Sequence, residues 1–224
     1  MFIIISYLFV MNKIYISIGA HCTTPTLFDR LHIKKESLPF DWMFSTPEFV
    51  YTILKLLLVD NMNIEEIVDN HFFICDKVAD FLPANPSNYI TNINGNVLIN
   101  SKYNVCFPHD TLSDRDKYVR RLERLKRIIL DSNNFLHFVY VSVPSTNNGY
   151  FKINEIEPIK DIYHYIHKIN LLIKDMTTKY KILIFDTDIN PRVSSDKTRI
   201  FHYRIRQKKS WQELLPELIH TFKV

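Results

Sequence analysis

The feature that most constrains the fold is an alternation of apolar strands and helices in the second half of the chain. Phe135–Val143 is a nearly continuous apolar and β-branched run, which is typical of a strand buried on both faces. The pattern then predicts a helix over Pro158–Met176, a second buried strand over Lys181–Phe185 and an edge strand over Thr198–Ile205. Because parallel strands are joined by helical crossovers, we predict a single α/β domain with helices on both faces of a mostly parallel sheet.

The stretch Ile14–Leu31 predicts one more strand of this sheet, a turn at Gly19 and a helix over Pro25–Leu31. Cys22 then lies at the N-terminal end of the helix, where main-chain N–H groups point outward. The partial positive charge of that end favours a thiolate over a thiol, so we expect Cys22 to have a lowered pKa and to react readily. The alternative is a small buried cysteine that packs at the end of the strand.

The middle of the chain predicts an antiparallel insertion. Asn94-Gly95 supplies the positive φ angles of a type I′ turn and would join strands over Tyr89–Ile93 and Val97–Ile99. Tyr103–Phe107 follows as a third strand, so the hairpin insertion lies near residues 89–107.

Composition bounds the domain organisation and the compartment. The chain has 224 residues, enough for one sizeable core, and we place a single α/β domain over residues 12–224. Residues 1–11 form an apolar extension that lacks the marks of a signal peptide and is too short to cross a bilayer; a true start at Met11 would leave most of it upstream. Three cysteines, an odd number, argue against a disulfide framework. We therefore expect a cytoplasmic protein without a membrane span.

Cys22 needs a base to act as a nucleophile, and often a third group that orients the base. His109 follows the third strand of the insertion and is the preferred base, because the side chain of His21, directly next to Cys22, diverges from it. Asp110 or Asp41 could orient His109. A thiol reaction of this kind requires no cofactor, and we expect none.

Four short motifs occur in order along the chain: Ser17-Ile18-Gly19-x-x-Cys22, Pro39-Phe40-Asp41-Trp42, Phe107-x-His109-Asp110 and Tyr118-x-Arg120-Arg121-Leu122. Together they resemble an uncharacterised family named for papain-like cysteine peptidases, with members in bacteria and large DNA viruses. The resemblance covers roughly residues 14–143. It implies that Cys22 is the nucleophile, that His109 is its base and that Asp110 or Asp41 is the acidic partner. For a viral member the compartment would be the host cytoplasm.

The family name implies a cysteine at the start of a long helix that packs on an antiparallel sheet bearing the histidine. Cys22 and the predicted insertion fit this arrangement, whereas the strand–helix alternation after residue 130 does not. The same cysteine–histidine pair would also serve an acyl-transfer or glycan-modifying reaction. The expected substrate is therefore peptide-like or glycan-like.

Asp186-Thr187-Asp188 follows the second buried strand and indicates a different function. Two aspartates at the end of a parallel strand can hold Mg²⁺ or Mn²⁺ against a nucleotide-sugar diphosphate, as in a metal-dependent glycosyltransferase. A second candidate metal site combines His71, Cys75, Cys106 and His109, a ligand set that zinc accepts, at spacings unlike those of a known finger.

The helix predicted over Thr111–Leu130 carries a basic face between residues 117 and 127. This face could contact an acidic partner in a non-enzymatic module, or it could be an ordinary solvated surface. The net charge of +4 is modest for the length, so we expect no specific nucleic-acid partner.

Overall fold

The computed structural model describes residues 11–19, 22–72, 77–80, 82–83, 96–100, 102–142, 151–152, 162–186, 199–205 and 211–223. Its strands are β1 (Asn12–Ser17), β2 (Lys77–Asp80), β3 (Leu82–Pro83), β4 (Asn96–Asn100), β5 (Val105–Phe107), β6 (Asn134–Val141), β7 (Phe151–Lys152), β8 (Tyr180–Asp186) and β9 (Ile200–Arg204). Its α-helices are α1 (Thr23–Arg30), α2 (Pro47–Leu58), α3 (Ile64–Ile67), α4 (Arg115–Leu130), α5 (Ile162–Met176) and α6 (Trp211–Lys223). A π-helical turn at Val68–Phe72 continues α3, and a 3₁₀ turn at Leu112–Asp114 leads into α4.

Four parallel strands form the main sheet in the order β1-β6-β8-β9. In the register, Phe138 of β6 lies beside Ile16 of β1 and Ile182 of β8. The three strands predicted in the second half of the chain are confirmed, with ends that differ by one or two residues, and β9 is an edge strand as predicted. The α/β prediction is therefore confirmed, with α5 as the crossover between β6 and β8.

Side chains alternate between the two faces of the main sheet, and each face has its own core. Phe138 and Ile182 point to one face and pack with apolar side chains of α2, α4 and α5; we call it the α4 face. Their neighbours Val139 and Leu183 point to the other face and pack with α1 and α6; we call it the α1 face. Helices cover both faces, as the buried strand patterns predict.

An antiparallel sheet is inserted in the chain between α3 and α4. Its strand order is β2-β4-β5, with Leu98 of β4 opposite Phe107 of β5. The predicted insertion is confirmed for β4 and β5, whereas Tyr89–Ile93 and Asn94-Gly95 lie outside the described residues. Strand β3 pairs separately with β7. Main-chain hydrogen bonds of 2.9 and 3.1 Å between Phe44 and Cys106 join the insertion to the loop before α2.

The helix starts follow local capping chemistry. Helix α2 begins after Thr46, whose hydroxyl accepts a hydrogen bond from the Phe49 N–H at 3.1 Å, with Pro47 at the first helical position. Helix α1 begins at Thr23, two residues before the predicted start, which makes Cys22 its N-cap. None of the described helices is long and apolar enough to cross a membrane.

Candidate active site

The turn after β1 brings Cys22 to the carboxyl-terminal edge of the main sheet. Gly19 has a φ of 126°, a region that favours glycine, and a Cβ there would lie 3.2 Å from the Ser45 carbonyl oxygen. The Thr24 hydroxyl donates to the Gly19 carbonyl at 3.3 Å, which ties the first turn of α1 back to the end of β1. Glycine therefore allows the chain to pass close to the loop before α2 and to start α1 at once.

The Cys22 thiol is buried, although part of the residue reaches the surface. Its backbone is helical, and its carbonyl accepts hydrogen bonds from the Thr26 N–H at 3.1 Å and the Thr26 hydroxyl at 2.8 Å. Burial raises the pKa of the Cys22 thiol to about 12. The prediction of a lowered pKa is therefore wrong, because the loss of water around the sulfur outweighs the partial charge of the helix end.

Asp41 closes the loop Leu38–Thr46. Its N–H donates to the Leu38 carbonyl at 3.2 Å, and its carboxylate accepts from the Leu38 N–H at 3.1 Å. The Lys34 ammonium lies 3.5 Å from this buried carboxylate. Burial raises the pKa of Asp41, and the charge of Lys34, the Leu38 N–H and the charge of Arg121 offset part of the rise. Asp41 is thus a buried anchor that holds the loop in one conformation.

Trp42 occupies the left-handed region, with a φ of 64°, which is unusual for a bulky side chain. The Lys34 ammonium lies 4.4 Å from the centroid of the indole. The His109 ring packs against the same indole at an interplanar angle of 85°, with ring centroids 6.4 Å apart. Such a conformation persists only where surrounding contacts hold it, and the Asp41 hydrogen bonds supply them here.

His109 lies in the turn after β5, exposed at the edge of the antiparallel insertion. Its ring loses water against Trp42, and this burial lowers the pKa of His109 below 6.5; the charge of Asp110 raises the pKa in part, and Lys117 lowers it further. The imidazole is therefore neutral at pH 7 and can accept a proton.

Asp110 is bound to α4. Its carboxylate accepts a hydrogen bond from the Tyr118 hydroxyl at 2.6 Å and another from Lys117, which also contacts Asp114 at 3.0 Å. The hydrogen bonds of Asp110 therefore anchor the turn that carries His109. Within the described residues, no hydrogen bond joins the Asp110 carboxylate to the His109 ring. The Asp41 carboxylate likewise makes no hydrogen bond to His109 within the described residues. An orienting role for either carboxylate stays a prediction.

The loop Leu38–Thr46 contacts the surroundings of both predicted catalytic residues. Ser45 lies against the turn that leads to Cys22, and Trp42 lies against His109. Neither contact was predicted from the sequence. Trp42 belongs to a motif of the family, which could have indicated a role at the site. No sequence pattern marks Ser45, because its contact with the Gly19 turn joins distant parts of the chain.

The two aspartates predicted as metal ligands are only half described. Asp186 ends β8, and its carboxylate accepts a hydrogen bond from Tyr163, whose ring stacks on His202 at 5.8 Å. Asp188 lies outside the described residues, as does Cys75 of the candidate zinc set. Within the described ranges no group of three or more His, Cys, Asp or Glu side chains could hold a metal ion. The metal-dependent transferase stays a prediction.

Ion pairs neutralise much of the basic face of α4. Arg124 lies 3.1 Å and Arg127 3.6 Å from the Glu36 carboxylate, and Lys117 lies 3.0 Å from the Asp114 carboxylate. The helix therefore has less free positive charge than its sequence suggests, and its role as a docking face for an acidic partner also stays a prediction.

Comparison with known proteins adds one match. No curated protein and no solved structure matches the chain. The sequence profile of a family described as "Putative papain-like cysteine peptidase (DUF1796)" matches residues 13–189, which include Cys22, Asp41, His109 and Asp110. Because this match covers well over half of the chain, the protein belongs to the family of putative papain-like cysteine peptidases.

Proposed function

We propose that this protein is a thiol-dependent hydrolase or transferase of the cysteine-peptidase type, with Cys22 as nucleophile and His109 as base. The observation that carries the proposal is the loop Leu38–Thr46, which contacts the Gly19 turn before Cys22 through Ser45 and contacts His109 through Trp42. Membership of the peptidase family supports the same reaction class.

The pKa values favour proton transfer during attack over a resting ion pair. Burial raises the pKa of Cys22 and lowers the pKa of His109, so both changes disfavour a resting thiolate–imidazolium pair. In the proposed step, His109 takes the thiol proton as the sulfur forms a bond to the substrate carbonyl carbon. His109 then returns the proton to the leaving group, and water or another acceptor releases the acyl group.

A buried hydroxyl supports an acyl-transfer site at this edge of the sheet. Ser45 is 2% exposed, and its Oγ has no hydrogen-bond partner among the described residues. An unpaired buried hydroxyl costs about 1–3 kcal/mol, a cost that a substrate carbonyl oxygen would remove by accepting its proton. The Ser45 Oγ would lie 3.4 Å from a Cβ at Gly19, so this donor sits beside the turn that leads to Cys22.

The proposal is tested by a substrate panel of peptide, ester and acylated-glycan compounds under reducing conditions, which match the cytoplasmic location proposed for this protein. Cys22→Ser should abolish turnover of any active compound. Cys106→Ser is the matched control, because Cys106 is a buried cysteine in β5 and should leave kcat unchanged in the folded fraction. His109→Gln should lower kcat about 10²–10⁴-fold.

Two results would reject the proposal. Turnover that survives Cys22→Ser would exclude the thiol as nucleophile. Turnover lost with Cys22→Ser but unchanged in His109→Gln would retain the thiol and exclude His109 as its base.

A further inference from the structure

Within the described residues, α1 and α6 cover the carboxyl-terminal end of the α1 face of the main sheet. Its core contains Val139, Val141, Leu183 and Phe185 from the carboxyl-terminal halves of β6 and β8, which pack under α1 and α6. The amino-terminal halves of the strands present polar side chains on this face instead. Register places Tyr15, His137 and Lys181 side by side on β1, β6 and β8. Lys13 lies two residues before Tyr15 and so shares the same face.

Two lysines lie on the strands to either side of β6, Lys13 on β1 and Lys181 on β8. Neither Lys13 nor Lys181 makes an ion pair within the described residues, in contrast to Arg115, Arg124 and Arg127 of α4. Burial, and then the charge of Lys13, lower the pKa of Lys181. An anion bound between the two ammonium groups would attract both of them.

His137 lies between the two lysines and has an unused hydrogen-bonding atom. The residue is 5% exposed, and its Nδ1 is buried without a partner among the described residues. Its ring is fixed by edge contacts with Tyr15 at 4.6 Å and Phe135 at 5.3 Å between centroids. Burial, then the charges of Lys181 and Lys13, lower the pKa of His137 to about 4, so the ring is neutral at pH 7 and Nδ1–H can donate to an anion without adding charge.

We propose that Lys13, His137 and Lys181 form a binding site for a phosphate group on the α1 face, separate from the candidate active site. A phosphate dianion matches two ammonium groups in charge and offers several oxygens, one of which would accept from His137 Nδ1–H. Phe201 is 40% exposed beside the site, with the Lys181 ammonium 5.8 Å from its ring centroid, and it supplies an apolar edge for the group that carries the phosphate.

The experiment is a titration of the full chain with inorganic phosphate at constant ionic strength, followed through the ¹⁵N signals of the His137 imidazole. Binding should be saturable and should move the His137 Nδ1 signal. Lys13→Gln combined with Lys181→Gln should weaken binding at least about tenfold, the change expected for the loss of about 1.4 kcal/mol. The matched control, Lys126→Gln with Lys174→Gln, removes the same charge from α4 and α5 and should change affinity less than about twofold.

Several outcomes overturn the site. They are an unmoved His137 signal, equal affinity in the Lys13/Lys181 variant, and equal weakening by the control pair, which would show an unspecific charge effect. Acetate carries a single negative charge, so acetate that binds as tightly as phosphate would contradict selection of a dianion. Glycerol 3-phosphate serves as a second probe: equal affinity assigns the site to free phosphate, and tighter binding assigns it to a phosphate ester. The wild-type titration needs no variant, so the proposal is tested even if a variant fails to fold.

Discussion

The buried hydrogen bond from Tyr118 to Asp110 should stabilise the turn that carries His109, and Tyr118→Phe tests its magnitude. Tyr118 is fully buried, so phenylalanine keeps the ring packing and removes a single oxygen. The hydroxyl donates at 2.6 Å to a carboxylate that retains Lys117, so the variant leaves no buried charge unpaired. A hydrogen bond to a charged group contributes about 1.5–3 kcal/mol, and we expect a loss of about 2 kcal/mol in the free energy of unfolding.

Thermal and urea unfolding measure the loss. For a chain of this length, about 2 kcal/mol lowers the melting temperature by about 4–8 °C. Tyr165→Phe is the matched control, because its hydroxyl also donates to a carboxylate, Glu48, at 2.8 Å, but at the surface. Water replaces the lost partner there, so we expect a change below about 0.5 kcal/mol.

Equal losses in Tyr118→Phe and Tyr165→Phe would contradict the prediction, because the two hydroxyls differ chiefly in burial. A loss below about 0.5 kcal/mol in both variants would show that Lys117 alone holds Asp110. The His109 ring signals give a second readout: they should shift in Tyr118→Phe and remain in place in Tyr165→Phe.

Two other side chains in the loop Leu38–Thr46 give further predictions. Burial raises the pKa of Asp41 above 3.8, so ionisation opposes folding, and the penalty grows as pH rises from 3.8 through the raised pKa. Asp41→Asn removes this penalty. The unfolding free energy of the variant minus that of wild type should therefore increase between pH 3.5 and pH 6.5. A difference that stays constant with pH would contradict this prediction. At Trp42, with its φ of 64°, Trp42→Gly should be more stable than Trp42→Ala by about 1 kcal/mol, because both lack the ring and only alanine keeps the strain. Urea unfolding of the pair gives the difference, and a more stable alanine variant would exclude strain at this position.

Most of the main sheet could be predicted from local patterns. Phe135–Val143 and Lys181–Phe185 are apolar on both faces, and only a sheet covered by helices on both sides buries such strands, which is what β6 and β8 show. Helix α2 was also predictable, because Thr46-Pro47 satisfies the first N–H groups locally. The start of α1 was placed two residues late because Cys22 makes no side-chain cap, and so the sequence carries no local signal there.

The candidate site was predicted in its residues but not in its electrostatics. The position of Cys22 at a helix start predicted a lowered pKa, yet burial raises the pKa of the thiol to about 12. The residues that bury the thiol come from distant parts of the chain, so the local sequence does not reveal them. Asp110 looked available to His109 as its sequence neighbour, but its carboxylate bonds to Tyr118 of α4. The family name suggests a long helix after the cysteine, whereas α1 has 8 residues and follows a strand of a parallel sheet.

Local sequence is enough to predict the strand and helix periodicity, the glycine turn before Cys22 and the family to which the chain belongs. These are properties of neighbouring residues, because a side chain's direction along a strand or helix depends only on its position in the repeat. Tertiary packing determines which charges are paired: Arg115, Arg124 and Arg127 of α4 contact carboxylates, whereas Lys13 and Lys181 make no ion pair within the described residues. It also decided that the Cys22 thiol loses water and that His109 rests on Trp42. Desolvation and charge pairing depend on atoms brought together from distant segments, and those distances exist only in the folded chain.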